Sequence, residues 1–125
     1  MAYKKKEKMK TIIIILAILM CVRSAGAWTD TEIVNAIYQA EGGSKAQYKY
    51  GIRSVHYQDE AEARHICFNT VRNNRKRFAD YGHIKYATYL EFLASRYCPI
   101  GVSNDPKGLN QYWLKNVRFF LNERP

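Results

Sequence analysis

The chain has 125 residues, with 20 Lys and Arg against 11 Asp and Glu, three cysteines and three histidines, for a formal charge of +9. It is too short for several large domains, and it has no internal repeat or low-complexity tract, so solenoid and disordered classes are excluded. His56, His65 and His83 are scattered, and no Cys/His set has ligand spacing, so no metal and no cofactor are expected.

The charge is unevenly placed. Lys4, Lys5, Lys6, Lys8 and Lys10 precede an unbroken apolar run over residues 12–22, and Ala25-Gly26-Ala27 follows with small-x-small spacing. Basic n-region, short h-region and cleavage pattern together read as a secretory signal peptide over residues 1–27. A single domain then occupies 28–125, exported to the periplasm or the extracellular space. A membrane partner enters only through an uncleaved leader. Residues 1–27 hold six cations and one acid, which leaves +4 for the rest. That balance suits an anionic polymer or surface and gives little support to a nucleic-acid partner.

Cys67 and Cys98 remain after processing, and in an oxidising compartment an even pair reads as a disulfide. Closing a loop of about thirty residues would add roughly 3–4 kcal/mol through the unfolded state. The alternative is two buried thiols.

In chain order, Thr29 or Asp30 caps a first helix whose inner face is Ile33, Ala36, Ile37 and Ala40, and Gly42-Gly43 ends it. Residues 44–57 lack helical periodicity and read as a loop or short hairpin rich in tyrosine. Asp59 opens a second helix with Ala63, Ile66, Cys67, Thr70, Val71 and Asn74 on one stripe, and Glu60 and Arg64 as an outward pair. The run Arg72-Asn73-Asn74-Arg75-Lys76-Arg77 lacks the glycine and aromatic pattern of an RNA-binding sheet and reads as a solvated helix end. A third helix carries Tyr86, Tyr89, Leu90, Leu93 and Tyr97 until Pro99. After the turn Ser103-Asn104-Asp105-Pro106, a last helix presents Leu109, Trp113, Val117 and Phe120. An all-α or α-dominated fold follows.

Glu41 is the residue out of place. A helix C-terminus already carries partial negative charge, so a carboxylate there, next to an apolar stripe, should be harder to ionise. A carboxylic acid that holds its proton near neutral pH is what a general acid requires.

The residues around it point further. Glu41-Gly42-Gly43-Ser44 and Tyr50-Gly51-Ile52-Arg53-Ser54 resemble the first two motifs of the lysozyme-like superfamily, especially small lytic transglycosylases and goose-type lysozymes of bacterial or phage type. Tyr89-Leu90-Glu91-Phe92-Leu93, Arg96-Tyr97-Cys98-Pro99 and Asn110-Gln111-Tyr112-Trp113 are similar to its later helices, so the likeness spans most of residues 30–120. Arg53-Ser54 replaces the usual Met-Gln, and the Ala-Tyr-Asn-Ala-Gly signature is absent.

The resemblance implies a small lysozyme-like helical domain that cleaves the bond between N-acetylmuramic acid and N-acetylglucosamine in peptidoglycan, with Glu41 as general acid and base. It implies sugar contacts from Gly51 and Ile52 on the cleft floor, and from Tyr97 and Tyr112 near the acid. Ser44 and Ser54 are candidate hydrogen-bonding partners for Glu41 or sugar, and Tyr50 is a candidate aromatic contact. Asp59 and Glu60 are the nearest acids able to activate a water, although a helix start favours acids anyway. Without such a partner, a 1,6-anhydro product is expected in place of hydrolysis. The domain is expected to act as a monomer on glycan strands. The alternative is an inactive exported glycan-binding or cell-envelope assembly factor.

Overall fold

Thr29 caps the first helix, α1 (Asp30–Ala40), in the computed structural model, which describes residues 28–123. The Thr29 hydroxyl accepts from the Glu32 N–H while the Glu32 carboxylate accepts from the Thr29 N–H at 2.8 Å, a reciprocal capping box. The leader read over residues 1–27 lies outside the described residues. Ile33, Val34, Ala36 and Ile37 are buried, as their three- and four-residue spacing requires. The helix terminates at Glu41, and Gly42 follows with φ +106°, a conformation that lacks strain only without a Cβ.

No strand forms among the described residues, so the hairpin alternative for residues 44–57 is not adopted. Two single 3-10 turns, Gly43–Lys45 and Lys49–Gly51, fold the segment back on itself. Positive φ at Gly42, Gly43, Tyr50 and Gly51 interrupts any extended run. The Lys49 ammonium ties the turns together by donating to the Ser44 carbonyl at 2.7 Å, and the Lys49 N–H donates to the Tyr57 hydroxyl at 2.8 Å.

Helix α2 (Glu60–Asp80) is capped by Asp59, whose carboxylate accepts from the Glu62 N–H at 2.8 Å. Ala63, Cys67, Val71 and Asn74 are buried along it. The expected Glu60–Arg64 pair is replaced: Arg64 reaches across to Asn35 on α1 at 2.9 Å. The basic run also departs from expectation, because α2 continues through it to Asp80. Arg75 bridges Asp30 at 2.7 Å and the Trp28 carbonyl at 2.8 Å, and Asn74 accepts from Arg96 at 2.7 Å, so the run stitches α2 to its neighbours.

Helix α3 (Tyr89–Tyr97) starts with a second capping box, Thr88 with Glu91, which leaves Tyr86 ahead of the helix. Buried Asp105 then accepts three backbone N–H groups, from Gly101, Leu109 and Asn110, and thereby shapes the following loop. After a 3-10 turn, Leu109–Tyr112, helix α4 (Trp113–Phe120) buries Trp113 and Val117, and Leu121 just beyond it. Leu109 and Phe120, expected inward, are 59% and 42% exposed. The inward stripe runs at four-residue spacing from Trp113, which places Leu121 rather than Phe120 on it.

Helix α1 lies against α4 and α2, and α3 closes over α2. Ile33, Ile37, Val71, Leu93 and Val117 fill the interior, each worth roughly 1.5–3 kcal/mol of transfer free energy. Among the described residues no helix is long and apolar enough to cross a membrane.

The expected disulfide is absent: Cys67 and Cys98 are free thiols. Cys67 is sealed in the middle of α2, with its Sγ 3.6 Å from the Tyr97 hydroxyl oxygen. Cys98 is one residue further along, at the cap of α3, and lines an outward cleft with Pro99 and Ile100. The neighbouring tyrosine, not the second cysteine, meets Cys67.

Candidate active site

Glu41 stands at the end of α1 because Gly42 lets the chain turn away there and leaves the carboxyl against the next segment. Its position is set by three neighbours. Trp113 Nε1, from the first turn of α4, donates to Glu41 Oε1 at 2.8 Å. The carboxyl also lies flat on Gly51, so close that a Cβ there would stand 2.6 Å from Glu41 Cδ. Only glycine fits, both for that approach and for its φ of +69°. The Arg53 guanidinium supplies a nearby positive charge.

Burial raises the Glu41 pKa above the ordinary carboxylate range, against the opposing pull of the Trp113 hydrogen bond and the Arg53 charge. Among the described residues Oε2 takes no hydrogen bond, and it is not sealed from solvent. The two oxygens therefore differ: Oε1 is held by the indole, and Oε2 is available to carry a proton outward.

Tyr97 is the keystone beneath this arrangement. Its ring stacks on Trp113, with centroids 5.1 Å apart and planes 24° from parallel, which fixes the indole that fixes Glu41. Its hydroxyl donates to the Tyr50 carbonyl at 2.5 Å, immediately before Gly51. Tyr50 has φ +57°, an uncommon conformation for a side-chain-bearing residue, and the Tyr97 bond helps to hold it. Desolvation pushes the Tyr97 phenol far above its usual pKa, so the hydroxyl stays a donor. Cys67, packed against it, has its thiol pushed up to about 12 by the same burial and is chemically quiet.

A groove of about 230 Å³ begins at Gly51 and is lined by Ile52, Arg53, Ser54, Thr70, Arg96 and Tyr97, with Val55 and Ile66. A second depression of about 380 Å³ shares Ile52, Arg53, Ser54 and Val55 and extends to Tyr48 and Tyr57. Of the expected contact residues, Gly51, Ile52, Ser54 and Tyr97 thus meet around one concavity beside Glu41. The others are placed differently. Tyr50 is buried, its ring against Tyr38 at 5.2 Å, and it serves the site through its backbone. Ser44 is exposed and its carbonyl is held by Lys49, with no hydroxyl bond to Glu41 among the described residues. Tyr112 is 52% exposed, and its expected place beside the acid belongs to the next residue, Trp113.

Trp113 was legible only as a core residue. A buried indole nitrogen must still find an acceptor, and that rule was the available signal for its second role. Arg96 and Thr70 enter the groove from α3 and α2, where the sequence marked Thr70 only as part of an inward stripe and Arg96 only as part of a motif, neither as a contact residue. Asp59 and Glu60 do not join Glu41. Asp59 caps α2, and Glu60 lies close to the Tyr38 hydroxyl on the flank of α1. No family model, curated protein or solved structure matches the chain.

Proposed function

We propose that the chain is an exported lysozyme-like domain that cleaves peptidoglycan glycan strands between N-acetylmuramic acid and N-acetylglucosamine, with Glu41 as general acid and then general base. The observation that carries this reading is the Glu41 carboxyl itself. It is partly dehydrated, fixed by Trp113 through one oxygen, and laid against Gly51, the residue at which the groove begins.

In the first step, protonated Oε2 donates to the bridging oxygen as the C1–O bond breaks and positive charge develops on the muramic ring. In the second, the resulting carboxylate takes the proton from the C6 hydroxyl, and O6 closes on C1 to give a 1,6-anhydro end. An inverting hydrolase instead requires a second carboxylate, about 6.5–9.5 Å away, to activate water. The engagement of Asp59 and Glu60 elsewhere favours the intramolecular route. The groups that shift Glu41 are its burial, Trp113 and Arg53, with no second acid.

Incubating the processed domain with purified sacculi and analysing released muropeptides by mass spectrometry tests the proposal. Anhydro ends that disappear in Glu41→Gln support it, and reducing ends transfer it to hydrolysis. Arg53 in the groove favours one other reading, a glycan-binding factor without turnover. Binding with no released fragment would establish that reading instead. Export is checked by N-terminal sequencing, with a start at Trp28 expected.

A further inference from the structure

We infer that the groove beside Glu41 is a carboxylate-recognition subsite formed by Arg53 and Arg96, so that the preferred glycan carries an unmasked carboxylate next to the bond to be cleaved. The inference rests on the glycan-cleaving reading above and specifies its substrate.

Every charged residue lining that groove is an arginine. Among the described residues, neither Arg53 nor Arg96 has a carboxylate within ion-pair distance. Both guanidinium groups are nevertheless held in place. Arg96 donates through Nε to Asn74 Oδ1 at 2.7 Å, and Asn74 is itself buried and anchored by its Nδ2 to the Thr70 carbonyl at 3.0 Å. That arrangement uses the inner edge of Arg96 and leaves its two terminal amino groups. Arg53 lies over the Tyr48 ring at 4.9 Å, a contact that uses its face and leaves its N–H edge.

Two like charges brought to one concavity repel each other, and Glu41, the acid whose charge Arg53 feels, makes an ion pair with neither. An anion seated between them removes that repulsion and gains charge-assisted, bidentate hydrogen bonds. Thr70 adds no donor, since its hydroxyl is committed to the Ile66 carbonyl at 2.9 Å. The selectivity is therefore for charge.

On a peptidoglycan strand the sugar ring is neutral, and the acid nearest the glycosidic bond is the lactyl group on muramic C3. It is a free carboxylate where no peptide is attached. Where a peptide is attached, the nearest free carboxylates belong to the stem. Both sources present the same chemistry to the two arginines.

The test uses the processed chain as Glu41→Gln, so that binding is read without turnover, with titration calorimetry against three soluble glycans. These are strands stripped of peptide, the same strands with lactyl carboxylates converted to neutral methylamides, and peptide-bearing strands. Stripped strands should bind about tenfold more tightly than neutralised ones. Arg53→Gln, which leaves the Asn74 bond untouched, should cut that gap to about threefold, and adding Arg96→Gln should abolish it. Peptide-bearing strands that bind as tightly as stripped ones assign the site to stem carboxylates, and weaker binding assigns it to the lactyl group. Equal affinity for stripped and neutralised strands, or a gap that survives in the folded double variant, overturns the inference while leaving glycan cleavage intact. If no glycan binds and the parent releases no fragment, the underlying function fails instead.

Discussion

Trp113 and Glu41 are 72 positions apart in the chain and meet through a single 2.8 Å hydrogen bond from the indole N–H to carboxylate Oε1. The bond joins the end of α1 to the start of α4, so the acid's orientation depends on how two distant helices pack. Tyr97, stacked on the same indole, adds α3 to the dependence.

Trp113→Phe isolates that bond. The ring that stacks on Tyr97 is kept and the donor to Glu41 is lost, which costs about 1.5–3 kcal/mol if the acceptor is ionised. Because the bond lowers the Glu41 pKa, its loss should raise that pKa further. In the proposed reaction the ionisable limb of the pH–rate profile should move to higher pH, with activity at the optimum down about tenfold. An unmoved limb would detach Trp113 from the acid.

Gly51→Ala strikes the contact beneath the carboxyl. The added Cβ meets Glu41 Cδ at 2.6 Å and must also adopt φ +69°. A loss of about 1–3 kcal/mol in stability and roughly a hundredfold in activity is expected. Gly101→Ala is the control: it has a similar φ of +71° but nothing within 4 Å, so it should carry the backbone cost alone and leave activity unchanged. Thermal denaturation and sacculus digestion of both variants decide the matter.

Tyr97→Phe removes the hydroxyl that holds the Tyr50 carbonyl. A buried acceptor left unpaired costs about 1–3 kcal/mol. The freed Tyr50–Gly51 turn should exchange its amides faster by hydrogen–deuterium exchange, and activity should fall with it. Tyr112→Phe, on an exposed ring, should change stability by no more than about 0.5 kcal/mol.

Glu41→Gln carries a stability signature separate from activity. Burial holds the folded-state pKa above the ordinary carboxylate value of about 4.5, so the native protein binds more protons than the unfolded chain just above that pH. Parent stability should therefore fall as pH rises from about 4.5 through the folded-state pKa, relative to a variant that cannot ionise. Glutamine also keeps an oxygen for the Trp113 bond. Its Tm should exceed the parent's at pH 7, with the gap closing toward pH 4, as differential scanning calorimetry will show.

The thiol state is equally testable. With Cys67 and Cys98 unlinked, Tm should be the same with and without reductant. Alkylation of the native protein should be slow at Cys98, whose thiol is pushed up to about 11 by burial, and absent at Cys67. Mass spectrometry of the alkylated peptides reads both.

Local signals in this chain were strong wherever one helix turn contains the whole cause. Thr29 and Asp59 were read as helix starts and both cap as read, whereas the Thr88–Glu91 box, which was not read, starts α3 after Tyr86. The stripe Ile33, Ala36, Ile37 required a buried face, and Glu41 followed by Gly42 required a helix that stops on an acid. Those features identified the residue around which the site is built.

Periodicity could not choose between the adjacent residues Phe120 and Leu121, because a single position is about 100° of helix. Trp113 was read inward and lies there, but the place beside the acid that the resemblance gave to Tyr112 also belongs to it. Nor could periodicity pair Tyr97 with Cys67, or bring Arg53 and Arg96 to one groove, since those contacts join segments that share no local geometry. The amino-acid order alone determined the helices, their caps and a carboxylate at a helix end. The dehydration of that carboxylate, its bond to Trp113, its seat on Gly51 and the cationic groove beside it were decided only when α1, α3 and α4 packed together. Desolvation and hydrogen-bond direction are properties of the surroundings, and the surroundings of Glu41 come from other helices.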